Sequence, residues 1–266
     1  MQHASSELKL MIQAAQAAGQ GLLQRFGQLG ELGVRTKTGP ADLVSIADEE
    51  AERTVREILG KARPTFSFVG EEGGTSRGSD DAQAWIVDPL DGTTNFLHGI
   101  PQFAISIGLQ REGTMIAGVI YNPATDDLFI AERGKGAFLN DTRLRVAARK
   151  QLHDCVIACG LPHIGRGDLP LSRDEMTALQ PRVAGLRRFG AASLDLAYVA
   201  AGRLDGYWER NLKPWDMAAG LIMIREAGGV VSDIQTPGDP LVSGDVVCGN
   251  ETIHAELTKI LRPLKK

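Results

Sequence analysis

The chain has 266 residues, 43% hydrophobic and 23% charged, with 29 Lys and Arg against 33 Asp and Glu for a formal net charge of −4. That length allows one large domain or two modest ones with a sizeable core, and the acidic balance excludes nucleic-acid or anionic-membrane binding driven by bulk charge. No apolar run approaches the ~20 residues that span a bilayer. Residues 1–7 lack the basic start and apolar centre of a secretory leader, and Cys155, Cys159 and Cys248 have no zinc-site spacing. The expected setting is a reducing cytoplasm, with the thiols as bystanders.

Leu8, Met11, Ile12, Ala15, Ala18, Leu22 and Phe26 recur at three- and four-residue spacing, which predicts a helix over 5–28. Gly27, Gly30 and Gly33 end that pattern, and Lys37-Thr38-Gly39-Pro40 reads as a turn or loop. A second helix is predicted over 42–59, with Ser45 and Asp48 near its start. A short strand over 66–70 ends in Glu71-Glu72-Gly73-Gly74. The apolar run at 85–87 reads as a buried strand stopped by Asp88-Pro89, and Gly92-Thr93-Thr94-Asn95 as a turn opening a short helix. Between 103 and 139, short alternating segments are punctuated by Arg111-Glu112-Gly113, Asn122-Pro123 and Gly134-Lys135-Gly136, the pattern of an antiparallel sheet. Strand-like runs at 156–158, 230–232 and 246–248 then alternate with helical ones at 193–201, 216–227 and 251–261, the pattern of an α/β half. The expected division is 1–150 and 151–266.

Four acidic residues stand out by context. Glu71 follows one strand, Asp88 and Asp91 follow another, and Asp216 in Lys213-Pro214-Trp215-Asp216 precedes a helix. Each alone also has an ordinary structural reading: Asp216 as a helix N-cap, Glu71-Glu72 as a solvated loop, Asp88 and Asp91 as turn formers. Together they are carboxylates, hard ligands suited to Mg²⁺ or Mn²⁺, set beside the free N–H groups of a helix start, which attract anions. That pairing suggests phosphate chemistry. The chain has no Gly-x4-Gly-Lys-Ser/Thr loop, no Gly-x-Gly-x-x-Gly and no His-Glu-x-x-His, so ATP-dependent and nicotinamide chemistries lack support.

Gly70-Glu71-Glu72, Asp88-Pro89-Leu90-Asp91-Gly92-Thr93-Thr94-Asn95-Phe96, and Trp215-Asp216 followed by Glu226-Ala227-Gly228-Gly229 resemble the inositol monophosphatase family, magnesium-dependent and lithium-sensitive phosphatases of the fructose-bisphosphatase superfamily. The resemblance covers nearly the whole chain, including Asp42-Leu43-Val44 and Asp48. The stretch from Leu194 to Gly206 looks most like the bacterial, extragenic-suppressor branch. The implied fold is a layered α+β and α/β sandwich of the sugar-phosphatase type, α-β-α-β-α, usually a homodimer. Its metal site would lie in the cleft between the halves.

The resemblance also implies roles. Glu71, Asp88 and the Leu90 carbonyl would hold one Mg²⁺, and Asp88, Asp91 and Asp216 a second; a third, weaker ion would sit near Glu71. Glu71 and Thr93 would orient the attacking water, with Asp48 accepting a hydrogen bond from Thr93. The N–H groups of Gly92, Thr93 and Thr94 would grip the phosphate. Asp91, Gly190, Ala192, Glu209 and Asp216 match positions that contact sugar-alcohol hydroxyls, for which carboxylates are suited acceptors. Arg187 matches a basic position near the substrate, and also reads as a solvated arginine beside Arg188. Ala191 stands where many relatives carry Ser or Thr. Residues 161–168 form a variable region. His98 reads as packing or support rather than a ligand, and Lys37 as solvated or as reaching toward the third ion.

The implied activity is Mg²⁺-dependent hydrolysis of inositol 1-phosphate to inositol and phosphate by metal-activated water. Alternatives in the same class are histidinol phosphate, a nucleotide 3′-phosphate, fructose 1,6-bisphosphate and NADP. A different class of reading is a regulatory protein that binds RNA polymerase or the RNA-processing and ribosome-maturation machinery, with Arg182, Arg187 and Arg188 on the binding surface. The intact set Glu71, Asp88, Asp91, Thr93 and Asp216 favours the enzyme.

Overall fold

The computed structural model describes residues 4–27, 35–36, 43–44, 46–162, 167–236 and 238–264. In chain order the first part comprises α1 (Ser6–Arg25), β1 (Arg35–Thr36), β2 (Leu43–Val44), α2 (Ile46–Ala62), β3 (Phe66–Gly70), β4 (Thr75–Ser76), β5 (Asp80–Asp91), α3 (Thr93–Leu97), β6 (Ala104–Arg111), β7 (Thr114–Asn122), β8 (Asp127–Glu132), β9 (Gly136–Leu139) and β10 (Thr142–Arg143). There follow β11 (Val156–Cys159), α4 (Leu169–Leu179), β12 (Gly185–Arg187), α5 (Ala192–Ala200), β13 (Gly206–Glu209), α6 (Pro214–Glu226), β14 (Val230–Ser232), α7 (Pro240–Ser243), β15 (Val246–Gly249) and α8 (Glu251–Leu261).

Helix α1 begins where Ser5 accepts the Leu8 N–H at 3.1 Å, an N-cap that satisfies one free donor. The predicted second helix is shorter at its start than the apolar pattern suggests. Leu43 and Val44 pair antiparallel with Arg35 and Thr36, so α2 begins only at Ile46. The strand expected at 85–87 is instead the centre of the long β5. Pro89 lies within it, at a register irregularity between Asp88 and Asp91, where the ladder does not need its missing N–H.

Two larger sheets are present among the described residues. The first runs β10-β9-β8-β7-β6-β5-β3-β4, antiparallel throughout except for the parallel pair β3 and β5. The second runs β12-β11-β13-β15-β14, with β11 parallel to both β12 and β13. Helices α1 and α2 cover one face of the first sheet. Helices α5 and α6 fill the space between the sheets, and α8 and α4 close the far side, giving the layers α-β-α-β-α. In α6 every residue from Met217 to Ile224 is buried, as a helix flanked by sheet on both sides requires. One buried cluster therefore joins Ile86, Phe129 and Ile120 of the first sheet to Tyr207, Val246 and Cys248 of the second through Leu196, Leu221 and Ile222. All three cysteines are buried and free. Among the described residues no helix is long and apolar enough to cross a membrane.

Candidate active site

Three pairings bring the acidic residues together. First, β3 and β5 run parallel with Gly70 opposite Val87, so the next residues, Glu71 and Asp88, emerge side by side at the same sheet edge. Second, Asp88 pairs with Ser106 on β6, and the Ser106 hydroxyl donates to the Trp215 carbonyl at 3.3 Å. That contact sets the start of α6, and with it Asp216, beside Asp88. Third, Asp91 Oδ2 accepts the Ser193 N–H at 2.7 Å and the Ser193 hydroxyl. Helix α5 has no side-chain cap of its own, because its N-cap residue is Ala191. Asp91 supplies that negative end from the other half of the chain.

These residues line one cavity of about 340 Å³. Glu71, Asp88, Leu90, Asp91, Gly92, Thr93, Thr94, Gly190, Ala192, Glu209 and Asp216 are all on its wall, as is Ala191. Asp48 is not, but it is buried on α2, and its Oδ1 lies 3.0 Å from Thr93 Oγ1, which is also 3.0 Å from the Leu90 carbonyl. Asp216 is the third residue of α6 and accepts the Lys213 N–H at 2.7 Å. The N-cap is therefore Lys213, not Asp216; Asp216 instead reaches back from the third position to the N-cap N–H, and its second oxygen can still face the cavity.

Arg187 does not line the cavity; it is exposed at the end of β12 and donates to the Leu186 carbonyl at 2.9 Å. Its neighbour Arg188 lines the cavity in its place, since successive residues of an extended chain face opposite ways. His98 is exposed and off the wall. Lys37 and His163–Arg166 (163–166) lie outside the described residues.

On the part of the wall built by the second sheet, β11 and β13 pair with Cys159 opposite Trp208, which sets Gly160 against Glu209. The Tyr207 hydroxyl donates to Glu209 Oε2. Behind them, Glu175 of α4 accepts from Trp208 Nε1 at 3.1 Å and from Arg210 Nε at 2.6 Å, and Arg210 Nη1 donates to Asp245 at 2.9 Å. The sequence reading missed Ser193, Arg188, Glu175 and Arg210. The usable signal for Ser193 was its position at the start of a predicted helix.

Burial, then the charges of Glu71, Asp91 and Asp216, hold Asp88 well above the usual carboxylate range. Burial raises Asp91 to about 7 against the lowering effect of both Ser193 hydrogen bonds. Asp195, also on the wall, is raised by burial and by the charges of Glu209 and Asp91. Repulsion of this kind favours bound cations, and an all-carboxylate donor set with a backbone carbonyl suits a hard divalent ion. The donor chemistry thus fits a metal, with Glu71, Asp88, Leu90, Asp91 and Asp216 as the residues able to hold it. Among the described residues no three His, Cys, Asp or Glu side chains are drawn together around a single point; the carboxylates line the cavity.

Gly92 connects these donors to α3 in a left-handed conformation with φ 88°, and a Cβ there would lie 2.8 Å from the Gln102 carbonyl. Only glycine makes that turn without strain. It places the start of α3, whose first-turn N–H groups have no intrahelical acceptors, on the same cavity wall as the carboxylates.

Comparison with known proteins agrees with this architecture. The chain is 58% identical to the inositol-1-monophosphatase of Rhizobium meliloti over 98% of each chain. It is 41% identical to the Nus factor SuhB of Pseudomonas aeruginosa over 96% of each. The extragenic suppressor protein SuhB of Bartonella henselae superposes with a TM-score of 0.94 at 51% identity, covering 97% of this chain and 99% of that one. A model of the inositol monophosphatase family matches residues 3–266, and the chain belongs to that family.

Proposed function

We propose that this protein is a Mg²⁺-dependent phosphatase that hydrolyses inositol 1-phosphate to inositol and inorganic phosphate. One observation carries the reading: Glu71, Asp88, Asp91 and Asp216 share a cavity wall with Thr93 and the start of α3. Family membership and the name of the 58%-identical relative support the substrate class.

When bound, two or three divalent ions neutralise phosphate charge and lower the pKa of the attacking water. The residues of the chain do the rest. Thr93 donates its hydroxyl proton toward Asp48, which leaves the Thr93 oxygen free to accept a proton from that water. Glu71 accepts a hydrogen bond from the other hydrogen of the water, which aims it at phosphorus, and that hydrogen stays on the phosphate formed. The N–H groups of Gly92, Thr93 and Thr94 hold the phosphate oxygens. As the new P–O bond forms, the bond from phosphorus to the alcohol oxygen breaks on the side of Asp91 and Asp216, and the alkoxide takes one proton from solvent water, balancing the one passed through Thr93 and Asp48. Glu209, Gly190 and Ala192 contact the hydroxyls of the alcohol, and Arg188 stands on that wall where Arg187 was expected. In this reading the protein is a cytoplasmic homodimer inhibited by lithium.

The test is kcat/KM for phosphate release across inositol 1-phosphate, histidinol phosphate, a nucleotide 3′-phosphate, fructose 1,6-bisphosphate and NADP. The reading expects inositol 1-phosphate to lead. A lead of tenfold or more by another monoester, about 1.4 kcal/mol in transition-state binding, would replace the substrate and keep the chemistry.

A further inference from the structure

The loop that carries Glu71 is held from behind by a carboxylate that does not line the cavity. Glu52 on α2 is 4% exposed. Its Oε2 accepts the Glu72 N–H at 2.7 Å and its Oε1 accepts the Gly73 N–H at 2.8 Å. Arg56, one helical turn on, donates to Glu52 Oε1 at 2.9 Å, to the Gly74 carbonyl at 3.3 Å and to Ser76 at 3.1 Å. Its guanidinium sits 4.0 Å over the Phe68 ring, which fixes its place. The Gly70 N–H donates to the Gly74 carbonyl at 3.2 Å and closes the loop.

Two glycines make room for this carboxylate. A Cβ on Gly70 would lie 2.6 Å from Glu52 Oε2, and one on Gly73 would lie 2.6 Å from Oε1. Neither glycine has a positive φ, so what each supplies is space for the carboxylate. The same helix also carries Asp48, four residues earlier and on the same face, which holds Thr93. Helix α2 thus supports two segments of the cavity wall, at Glu71 and at Thr93, through two buried carboxylates at i and i+4. A buried carboxylate is costly unless its oxygens are filled; here three donors fill them.

We propose that Glu52 is a positioning residue for the reaction: by holding the backbone at Glu72 and Gly73, it fixes the Glu71 carboxylate opposite Asp88. This rests on the reading of Glu71 as a metal ligand. Partners that orient a ligand without touching the ion typically change metal affinity by about 10- to 100-fold.

The experiment measures Mg²⁺ affinity by calorimetry, together with hydrogen exchange at the Glu72 and Gly73 amides, in wild type, Glu52→Gln, Arg56→Met and Glu71→Ala. Glu52→Gln is expected to weaken Mg²⁺ about 10- to 100-fold and to speed exchange at both amides. Arg56→Met keeps the Glu52 charge but removes the group that holds it, and is expected to weaken Mg²⁺ as well. A through-space charge effect has the opposite sign, because loss of a cation tightens Mg²⁺ binding. Tighter binding in Arg56→Met, or wild-type affinity in Glu52→Gln while Glu71→Ala is weakened, overturns the inference and leaves the site reading in place. Wild-type affinity in Glu71→Ala overturns the site reading, and the inference falls with it. Should Glu52→Gln fail to fold, Arg56→Met decides alone.

Discussion

Asp91 and Ser193 lie 102 positions apart, and both the N–H and the hydroxyl of Ser193 donate to the same oxygen of Asp91. The contact ties the end of β5 to the start of α5, keeps Asp91 nearer the ionised form, and leaves its other oxygen for a metal. Ser193→Ala keeps the N–H bond and loses the hydroxyl. A hydrogen bond to a charged group contributes about 1.5 kcal/mol or more, so Tm is expected to fall by roughly 3–6 °C, with weaker Mg²⁺ binding. Thermal unfolding with and without Mg²⁺ checks this; an unchanged Tm would show that the N–H bond alone holds the carboxylate.

The Asp48–Thr93 contact predicts a kinetic effect separable from substrate binding. Asp48→Asn and Thr93→Ala are each expected to lower kcat by about 10²–10⁴-fold, because both interrupt proton movement from the water. The double variant should lose little more than either single one, since they act as a unit. Multiplying losses would show that the two residues act independently.

Gly160 and Glu209 are packed so closely that a Cβ on Gly160 would overlap the Glu209 carboxylate. Gly160→Ala therefore pushes Glu209 off its place, the three atoms nearest the new Cβ all being those of its carboxylate. The expected result is a raised KM for inositol 1-phosphate with Mg²⁺ affinity unchanged. Equal loss of Mg²⁺ affinity would mean that Glu209 and the metal-holding carboxylates do not act separably.

Asp195 predicts a pH effect on stability in the metal-free protein. Its folded pKa lies above the ordinary aspartate value of 3.8, chiefly through burial. A raised folded pKa means that the folded state holds the proton more tightly. The associated stability is full below about pH 4 and is lost as pH rises toward the folded value. One oxygen of Asp195, Oδ1, has no hydrogen-bond partner among the described residues. Asp195→Asn removes the titration, so Tm should decline less steeply above pH 4 than in wild type. Parallel Tm profiles would contradict the buried-acid assignment.

What was legible in the sequence was local. Trp85-Ile86-Val87 reads as a strand, though not as one that continues past Pro89 to Asp91, Gly92 as a turn, and Ser193 and Asp216 as helix starts, because each depends on a few neighbouring residues. Glu52 was not legible: in Asp48-Glu49-Glu50-Ala51-Glu52-Arg53 it looks like one more solvated charge, and only packing of α2 against β3 and β5 buries it. The exchange of Arg187 for Arg188 is a one-residue register question at the end of a three-residue strand. Strands β12 and β13 were missed because each is short and is recruited by parallel pairing to β11, a non-local event. Helix α4 did carry a local signal, Asp168 capping Leu171 with Pro170 in the first turn, obscured by the variable stretch before it.

Phosphate release from inositol 1-phosphate in Mg²⁺, in wild type and Asp91→Asn, each with and without EDTA, tests the central claim most directly. The account predicts turnover by the wild type that is abolished by EDTA, restored by Mg²⁺ and lost in Asp91→Asn while the variant stays folded. Turnover that persists in EDTA or in Asp91→Asn, or none from the folded, Mg²⁺-loaded wild type, would contradict it.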